Sequence, residues 1–350
     1  MLPISVCIIA KNEEKYIEEC LSRLEPYHYE IVLVDTGSTD RTVEIAGKYT
    51  DRIFSFTWCD DFSAARNFAI SKATHDLILH IDCDEFVEYI DEKALQKLIR
   101  EQPESVGRIL LKNRFMQDGR PSVENVHLSR LADRRFFHYS GAIHEQLEPL
   151  SSDIPKRVYD VPVTVLHVGY DGSEEEMKQK SLRNIALLEK ALQDQGPDAY
   201  LYYQLGQSCM KLQDYEKAYD WFNLGLSMDV DPALDYVQIM VESYGYCLLD
   251  LKRNREALQL LNIYDTFAVR ADFVFLMGLI YMNNAFFEEA IKEFKKSTTM
   301  ERFSVEGTNS YRAFYNIGVI YECTGHPKEA REYYKKCGNY EPALARLQVI

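Results

Sequence analysis

The chain lacks the features of a membrane-spanning or nucleic-acid-binding protein. None of its apolar runs approaches the ~20 residues that cross a bilayer. Lys and Arg number 40 against 55 Asp and Glu. With a formal charge of −15 and no Lys/Arg cluster, no basic stripe could displace counterions from a nucleic acid. Residues 2–10 are apolar but have no basic leader or small-residue cleavage site, so we expect a first strand rather than a signal peptide.

The eight cysteines show no paired spacing, and several sit in apolar periodic runs. This pattern favours reduced thiols in a cytoplasmic protein over a disulfide framework or a zinc site. The sequence also has no glycine-rich phosphate loop with a signature lysine early in the chain, which argues against a nucleotidyltransferase. The cysteines are Cys7, Cys20, Cys59, Cys83, Cys209, Cys247, Cys323 and Cys337.

At 350 residues, with 46% hydrophobic and 27% charged residues, the chain is long enough for two globular domains. About the first 170 residues alternate short apolar runs with helical patterns, which predicts a parallel sheet wrapped by helices. The predicted helices cover residues 13–24, the stretch from the 36–40 loop to residue 48, and residues 61–72. The predicted strands are 4–10, 30–35, 53–56, 77–81, 107–113 and 126–130, the last two joined by a turn at Asp118-Gly119.

The second half has a different period. Four glycines are each followed twelve positions later by an alanine, and in three of the four units an aromatic residue stands four positions after that. The glycines are spaced by 39, 33 and 40 residues, close to the ~34-residue tetratricopeptide period with two stretched loops. The units are Gly206/Ala218/Phe222, Gly245/Ala257/Leu261, Gly278/Ala290/Phe294 and Gly318/Ala330/Tyr334.

These patterns predict three segments. Residues 1–172 form the α/β domain, and residues 198–350 form an all-α tetratricopeptide superhelix of about four repeats. Residues 173–197 form a connecting helix whose N-terminus carries a capping box of Ser173 and Glu176.

The most informative motif is DLILHIDCDE at residues 76–85, an apolar strand that runs into an acidic turn. Two carboxylates on alternate positions, Asp82 and Asp84, are costly at a buried strand end unless a cation lies between them. A hard divalent ion that also bridges substrate phosphates suits such a pair. The alternative is a solvated turn, because Asp is common where strands stop.

Four blocks stand in order in this half: ISVCIIAKNE at 4–13, VDTGSTD at 34–40, DDFSAARN at 60–67 and IDCDE at 81–85. Together they resemble family 2 glycosyltransferases of the GT-A (nucleotide-diphospho-sugar transferase) fold. The resemblance covers about residues 3–170 and implies a nucleotide-binding half and an acceptor-binding half around one metal. With the repeats that follow, the chain is similar to the bacterial subgroup that includes the peptide S-glycosyltransferases of glycosylated bacteriocins.

The resemblance implies roles for individual residues around the donor. Asp35 would contact uracil or ribose, or cap the 36–40 loop, or do both. Arg66 would reach the base or the pyrophosphate, the alternative being a surface ion pair with Asp60 or Asp61. Lys11 and Glu13 line the first loop and would help to hold the nucleotide.

The resemblance also implies a metal shell and a base. Asp82 would contact ribose or metal, Asp84 would bind the metal, and His167 would complete the shell, suiting Mn²⁺ better than Mg²⁺. The alternative for His167 is a buried histidine at a domain seam. His144-Glu145 stands where the family usually has an acidic pair with the catalytic base. We take Glu145 as the base, with His144 orienting it or contacting phosphate, and a structural hydrogen bond as the alternative.

The expected function is therefore metal-dependent, inverting transfer of a sugar from a nucleotide donor, a UDP-sugar, with Mn²⁺ or Mg²⁺ as cofactor. The repeats offer a concave face for a peptide or protein acceptor, whose Cys or Ser side chain would be the nucleophile, but they could equally mediate homodimerisation. A saccharide or lipid-linked acceptor stays open. The rival from another class is a peptide-binding scaffold whose first domain is inactive.

Overall fold

The structure is a computed structural model that describes residues 2–117, 120–168 and 174–350. The predicted turn at Asp118-Gly119 and the capping box of Ser173 with the Glu176 side chain lie outside these described residues. The chain divides into two compact units, Met1–Glu174 and Glu175–Ile350. No helix in the described ranges has the length and apolarity needed to cross a membrane.

The first unit is built on a sheet of eight strands, which are β1 Ile4–Ala10, β2 Glu30–Asp35, β3 Ile53–Ser55, β4 Leu77–His80, β5 Glu85–Ile90, β6 Val106–Gln117, β7 Arg120–Asp133 and β10 Val158–His167. Their order across the sheet is β3-β2-β1-β4-β7-β6-β10-β5. Strands β8 Phe137–Ser140 and β9 Gln146–Pro149 form a separate hairpin. The helices are α1 Ile17–Ser22, α2 Thr42–Ala46, α3 Phe62–Lys72 and α4 Glu92–Glu101, with a 3₁₀ turn at Glu25–Tyr27.

The predicted α/β class is confirmed, but the sheet is mixed rather than wholly parallel. Strands β1 to β4 are parallel, whereas β7 is antiparallel to both β4 and β6, and β10 is antiparallel to β5. The apolar, almost fully buried β1 and β2 are typical of parallel strands covered on both faces. Sequence patterning missed β5 because charged Glu85 and Glu88 interrupt its apolar run.

This topology brings the candidate motifs to one edge. Strands β1, β2 and β4 are parallel neighbours, so their carboxyl ends meet, and open α/β sheets bind ligands there. The loop at residues 11–14, the loop at 36–40 and the turn at 82–85 all follow these ends.

The second unit is all-α, as predicted. Its helices are α5 Glu174–Gln195, α6 Ala199–Lys211, α7 Tyr215–Leu226, α8 Asp235–Asp250, α9 Asn254–Ala257, α10 Tyr264–Phe267, α11 Ala271–Asn283, α12 Phe287–Ser297, α13 Tyr311–Cys323, α14 Pro327–Lys336 and α15 Glu341–Leu347. A 3₁₀ segment, Leu258–Ile263, separates α9 from α10.

The repeat glycines allow an aromatic ring to lie directly against the facing helix. A Cβ on Gly206 would lie 2.3 Å from Cε1 of Phe222, and a Cβ on Gly278 would lie 2.6 Å from Cε1 of Phe294. The second repeat, Gly245/Ala257/Leu261, departs from this pattern. Leu261 is 41% exposed, and Leu260 instead faces Gly245, because the helix tightens into the 3₁₀ segment after Ala257.

Replacing Gly278 by alanine should destabilise the repeats by about 1–3 kcal/mol, because the added methyl group overpacks a closed contact with Phe294. Equilibrium denaturation of the full chain measures the change. The double variant Gly278→Ala/Phe294→Leu makes room for the methyl group and should recover part of the loss. An unchanged unfolding curve for Gly278→Ala would show that this close contact is not needed for stability.

Candidate active site

The acidic turn between β4 and β5 is held by its own carboxylate and backbone. Glu85 Oε2 accepts a hydrogen bond from the Asp82 N–H at 2.9 Å, and the Glu85 N–H donates to the Asp82 carbonyl at 3.0 Å. Cys83 points into the core, where its thiol contacts the Ile9 carbonyl. Asp82 and Asp84, on either side of Cys83, keep partly exposed carboxylates.

The structure brings Asp84 and His167 together, although 83 residues separate them in the chain. Strand register places His167 opposite Asn113 on one side and Glu85 on the other. His167 Nε2 lies 3.3 Å from Asp84 Oδ2, and its Nδ1 lies 2.8 Å from Asn113 Oδ1. Because Asn113 Oδ1 accepts a hydrogen bond from the Nδ1–H group, Nε2 is the unprotonated nitrogen, and its lone pair faces a carboxylate oxygen of Asp84. This donor set fits a divalent cation.

Asp82 does not join that pair. Its Oδ1 accepts from Arg66 Nη2 at 2.9 Å and its Oδ2 from Arg130 Nη2 at 2.8 Å. Burial would raise the pKa of Asp82, but the Arg130 and Arg66 guanidinium groups hold it well below its usual range. The described residues contain no group of three or more His, Cys, Asp or Glu side chains arranged to hold a metal. Both carboxylate oxygens of Asp82 are thus engaged by arginines, and its contact with ribose or metal stays a prediction.

Arg66 is a buried residue of this site. It projects from α3 with 4% of its surface exposed, and its guanidinium also pairs with Glu145 and lies 5.4 Å from the Tyr139 ring centre. The alternative of a surface pair with Asp60 or Asp61 is wrong. Asp61 caps α3 by accepting from the Ala64 N–H.

Asn67, one residue after Arg66, connects α3 to strand β8, which precedes Glu145. Its amide donates to the Tyr139 carbonyl at 2.8 Å and accepts from the Tyr139 N–H at 2.9 Å. The Phe62 N–H, at the start of the helix, donates to the Ala142 carbonyl at 2.8 Å. These bonds connect the DDFSAARN block to strand β8 and to the loop that follows it.

His144 and Glu145 occupy the loop between β8 and β9. His144 has a φ of 51°, a left-handed conformation that few residues other than glycine adopt and in which asparagine, aspartate and histidine are the most frequent exceptions. Such strain often marks functional loops. Glu145 is fixed by its ion pair with Arg66, which spans 79 residues of sequence.

The nucleotide-side loops hold one another in place. The Asp35 carboxylate accepts from the N–H groups of Gly37 and Ser38, so its predicted capping role is present. The Glu13 N–H donates to Thr42 Oγ1 at 2.7 Å, and Lys11 is exposed beside it. Lys11 and Glu13 therefore lie in the loop that follows β1, at the carboxyl edge of the sheet.

Sequence reasoning missed Arg130, Glu85 and Asn113 as parts of this site. Arg130 lies inside a strand, Asn113 near the end of another, and nothing local distinguishes them from other polar strand residues. Their partners are distant in sequence, so only strand register reveals them.

The fold and this edge define a nucleotide-diphospho-sugar transferase type of domain, and comparison with known proteins gives the family. Residues 5–141 match the family described as Glycosyl transferase family 2, and residues 199–231 and 311–343 match Tetratricopeptide repeat. The chain therefore carries a family 2 glycosyltransferase domain followed by tetratricopeptide repeats. The resemblance seen in the sequence is confirmed at that level.

Several curated proteins are similar to the chain. A TPR repeat-containing protein of Synechococcus elongatus is 33% identical over 67% of this chain and 60% of its own length. The SPbeta prophage-derived glycosyltransferase SunS of Bacillus subtilis is 29% identical over 64% of this chain and 54% of its own length. The lipopolysaccharide core biosynthesis glycosyltransferase LpsC of Rhizobium meliloti is 31% identical over 37% of this chain and 49% of its own length. The chain thus matches about half to three fifths of the length of these relatives.

Among solved structures, the helical half is similar to YrrB, titled a TPR protein with an unusual peptide-binding site. The two are 23% identical with a TM-score of 0.41, over 49% of this chain and 85% of that one. MamA is 20% identical with a TM-score of 0.40, over 51% of this chain and 99% of the MamA chain.

Proposed function

We propose that the chain is a metal-dependent, inverting glycosyltransferase that uses a nucleoside-diphosphate sugar, a UDP-sugar, as donor. The observation that carries this is the Asp84–His167 pair, backed by Asn113, at the carboxyl edge of a family 2 domain. A bound Mn²⁺ or Mg²⁺ would neutralise the charge that develops on the leaving diphosphate. Asp84 and His167 would hold it, and Asn113 would keep the histidine ring in the ligating orientation.

Glu145 is proposed as the base that takes the proton from the acceptor. Inverting transfer needs a carboxylate that deprotonates the nucleophile as it attacks the anomeric carbon. The ion pair with Arg66 holds the Glu145 side chain in one orientation. Beside it, His144 would contact phosphate or the acceptor.

The donor nucleotide is assigned to the loops after β1 and β2. Asp35 is only half-buried, and its bonds to Gly37 and Ser38 fix the carboxylate without covering it completely. A carboxylate oxygen with remaining lone pairs can accept from a uracil N–H or a ribose hydroxyl. Lys11 adds a positive charge near the diphosphate, and the backbone bond of Glu13 to Thr42 keeps the two loops together.

The acceptor is proposed to be a Cys or Ser side chain of a peptide or protein bound by the repeat unit. Tetratricopeptide helices stack into superhelices with a concave face that suits extended peptides. The helical pairs of this unit follow that pattern, with Gly206, Gly278 and Gly318 packed under aromatic rings. If the acceptor is instead a saccharide or is lipid-linked, the role of the repeats would be to bind a second copy of the chain.

Incubating the full chain with a panel of nucleotide sugars and Mn²⁺ should release UDP from one UDP-sugar, and EDTA should stop the release. Liquid chromatography of the nucleotides measures it. Release of pyrophosphate would point to nucleotidyl transfer, and no turnover with any donor would point to an inactive domain in a peptide-binding scaffold. Mass spectrometry of peptides mixed with donor and enzyme then identifies the modified side chain.

A further inference from the structure

A β-bulge in β7 directs one arginine into the site. Gly107 of β6 pairs with Leu131 of β7, but the next residue, Arg108, pairs with Ser129. Arg130 is therefore the extra residue of the bulge. Bulges beside active sites commonly re-aim a side chain out of the regular alternation.

The redirected Arg130 side chain bridges both ends of the acidic turn. Its Nη2 donates to Asp82 Oδ2 at 2.8 Å and to Glu85 Oε1 at 2.7 Å. The Arg130 side chain is 11% exposed and that of Glu85 is 3% exposed. The buried Glu85 carboxylate and the partly exposed Asp82 carboxylate would repel each other without the cation that pairs with both.

The same arginine lies at the centre of a chain of alternating charges. The order is Glu145, Arg66, Asp82, Arg130 and Glu85, with an ion pair at each step. These residues come from the β8–β9 loop, α3, the 82–85 turn and β7. The chain connects the segment of the proposed base to the turn that carries Asp84.

We propose that Arg130 is a positioning residue for glycosyl transfer. By holding Asp82 and Glu85 together it fixes the 82–85 turn, so that Asp84 stays opposite His167. Through Asp82 and Arg66 it also sets the position of Glu145 relative to that turn. The expected change in UDP binding rests on the proposed function, whereas the expected change in the 82–85 turn does not.

The test compares Arg130→Met and Arg130→Lys with the control Arg108→Met, which removes the neighbouring arginine, half-buried in its pair with Asp160. Calorimetry measures UDP affinity at saturating Mn²⁺, and hydrogen exchange measures the amides of residues 82–85. We expect Arg130→Met to weaken UDP binding tenfold or more and to speed exchange in the turn. Arg130→Lys should recover part of both, and Arg108→Met should match the wild type.

A second variant separates positioning from charge balance. Arg130→Met/Glu85→Gln removes the carboxylate that Arg130→Met leaves buried beside Asp82, and should restore the thermal midpoint. The inference holds if UDP affinity and exchange protection stay low in this stable double variant. Recovery of both to wild-type values, unchanged behaviour of Arg130→Met, or unfolding of every Arg130 variant would overturn it. If the wild-type chain binds no UDP, the proposed function fails, and hydrogen exchange alone decides the role of Arg130.

Discussion

Replacing Asp84 by alanine should abolish Mn²⁺-dependent UDP release while leaving the fold intact. Asp84 contributes the carboxylate that faces His167 Nε2 at 3.3 Å, and its loss removes one of two proposed protein ligands. Rate losses of several orders of magnitude are expected when the charge on a leaving diphosphate is no longer compensated. The measurement is UDP release at saturating Mn²⁺, with circular dichroism and thermal unfolding as fold controls.

Two variants make the Asp84 result specific. Asp160→Ala removes an exposed carboxylate of the same sheet and should change neither activity nor stability. Asp82→Asn leaves the Arg66 and Arg130 guanidinium groups without their shared counter-charge, so it should lower the thermal midpoint, unlike Asp84→Ala. Full activity of a well-folded Asp84→Ala protein would contradict the metal assignment.

The contrast between Asp82 and Asp84 shows where sequence reasoning stops. The alternation of polar and apolar residues and the strand-end position identified the acidic turn, because both are local properties. The difference between the two carboxylates depends on Arg130, which lies 48 residues away and reaches the turn only through a bulge. A single sequence gives no signal for that register.

Arg66 and the repeat glycines illustrate the same distinction. The contact of Gly206 with Phe222 joins helices adjacent in the chain at a fixed offset, so the spacing predicted it. The predicted surface pair of Arg66 with Asp60 or Asp61 is wrong, because its partners are Asp82 and Glu145, and Glu145 belongs to a hairpin that sequence patterning did not find. Long-range ion pairs depend on tertiary placement, which propensity and periodicity do not contain.

Replacing Glu145 by glutamine should lower turnover about a hundredfold or more while UDP still binds. Glutamine keeps the shape and can still accept from Arg66, but it cannot take the acceptor proton. Arg66 retains its pair with Asp82, so α3 and the 82–85 turn stay connected. Turnover is measured as UDP release with the preferred donor, and binding is measured by calorimetry with UDP and Mn²⁺.

His144→Asn is the matched control, because asparagine tolerates the left-handed backbone that His144 adopts at φ 51°. A base at Glu145 requires this neighbouring change to cost much less than Glu145→Gln. If His144→Asn is the more damaging variant, the histidine is the base that takes the acceptor proton, and Glu145 acts only as the ion-pair partner of Arg66. If UDP binding disappears together with turnover in Glu145→Gln, the ion-pair chain from Glu145 through Arg66 to Asp82 supports the donor site, and the base lies elsewhere.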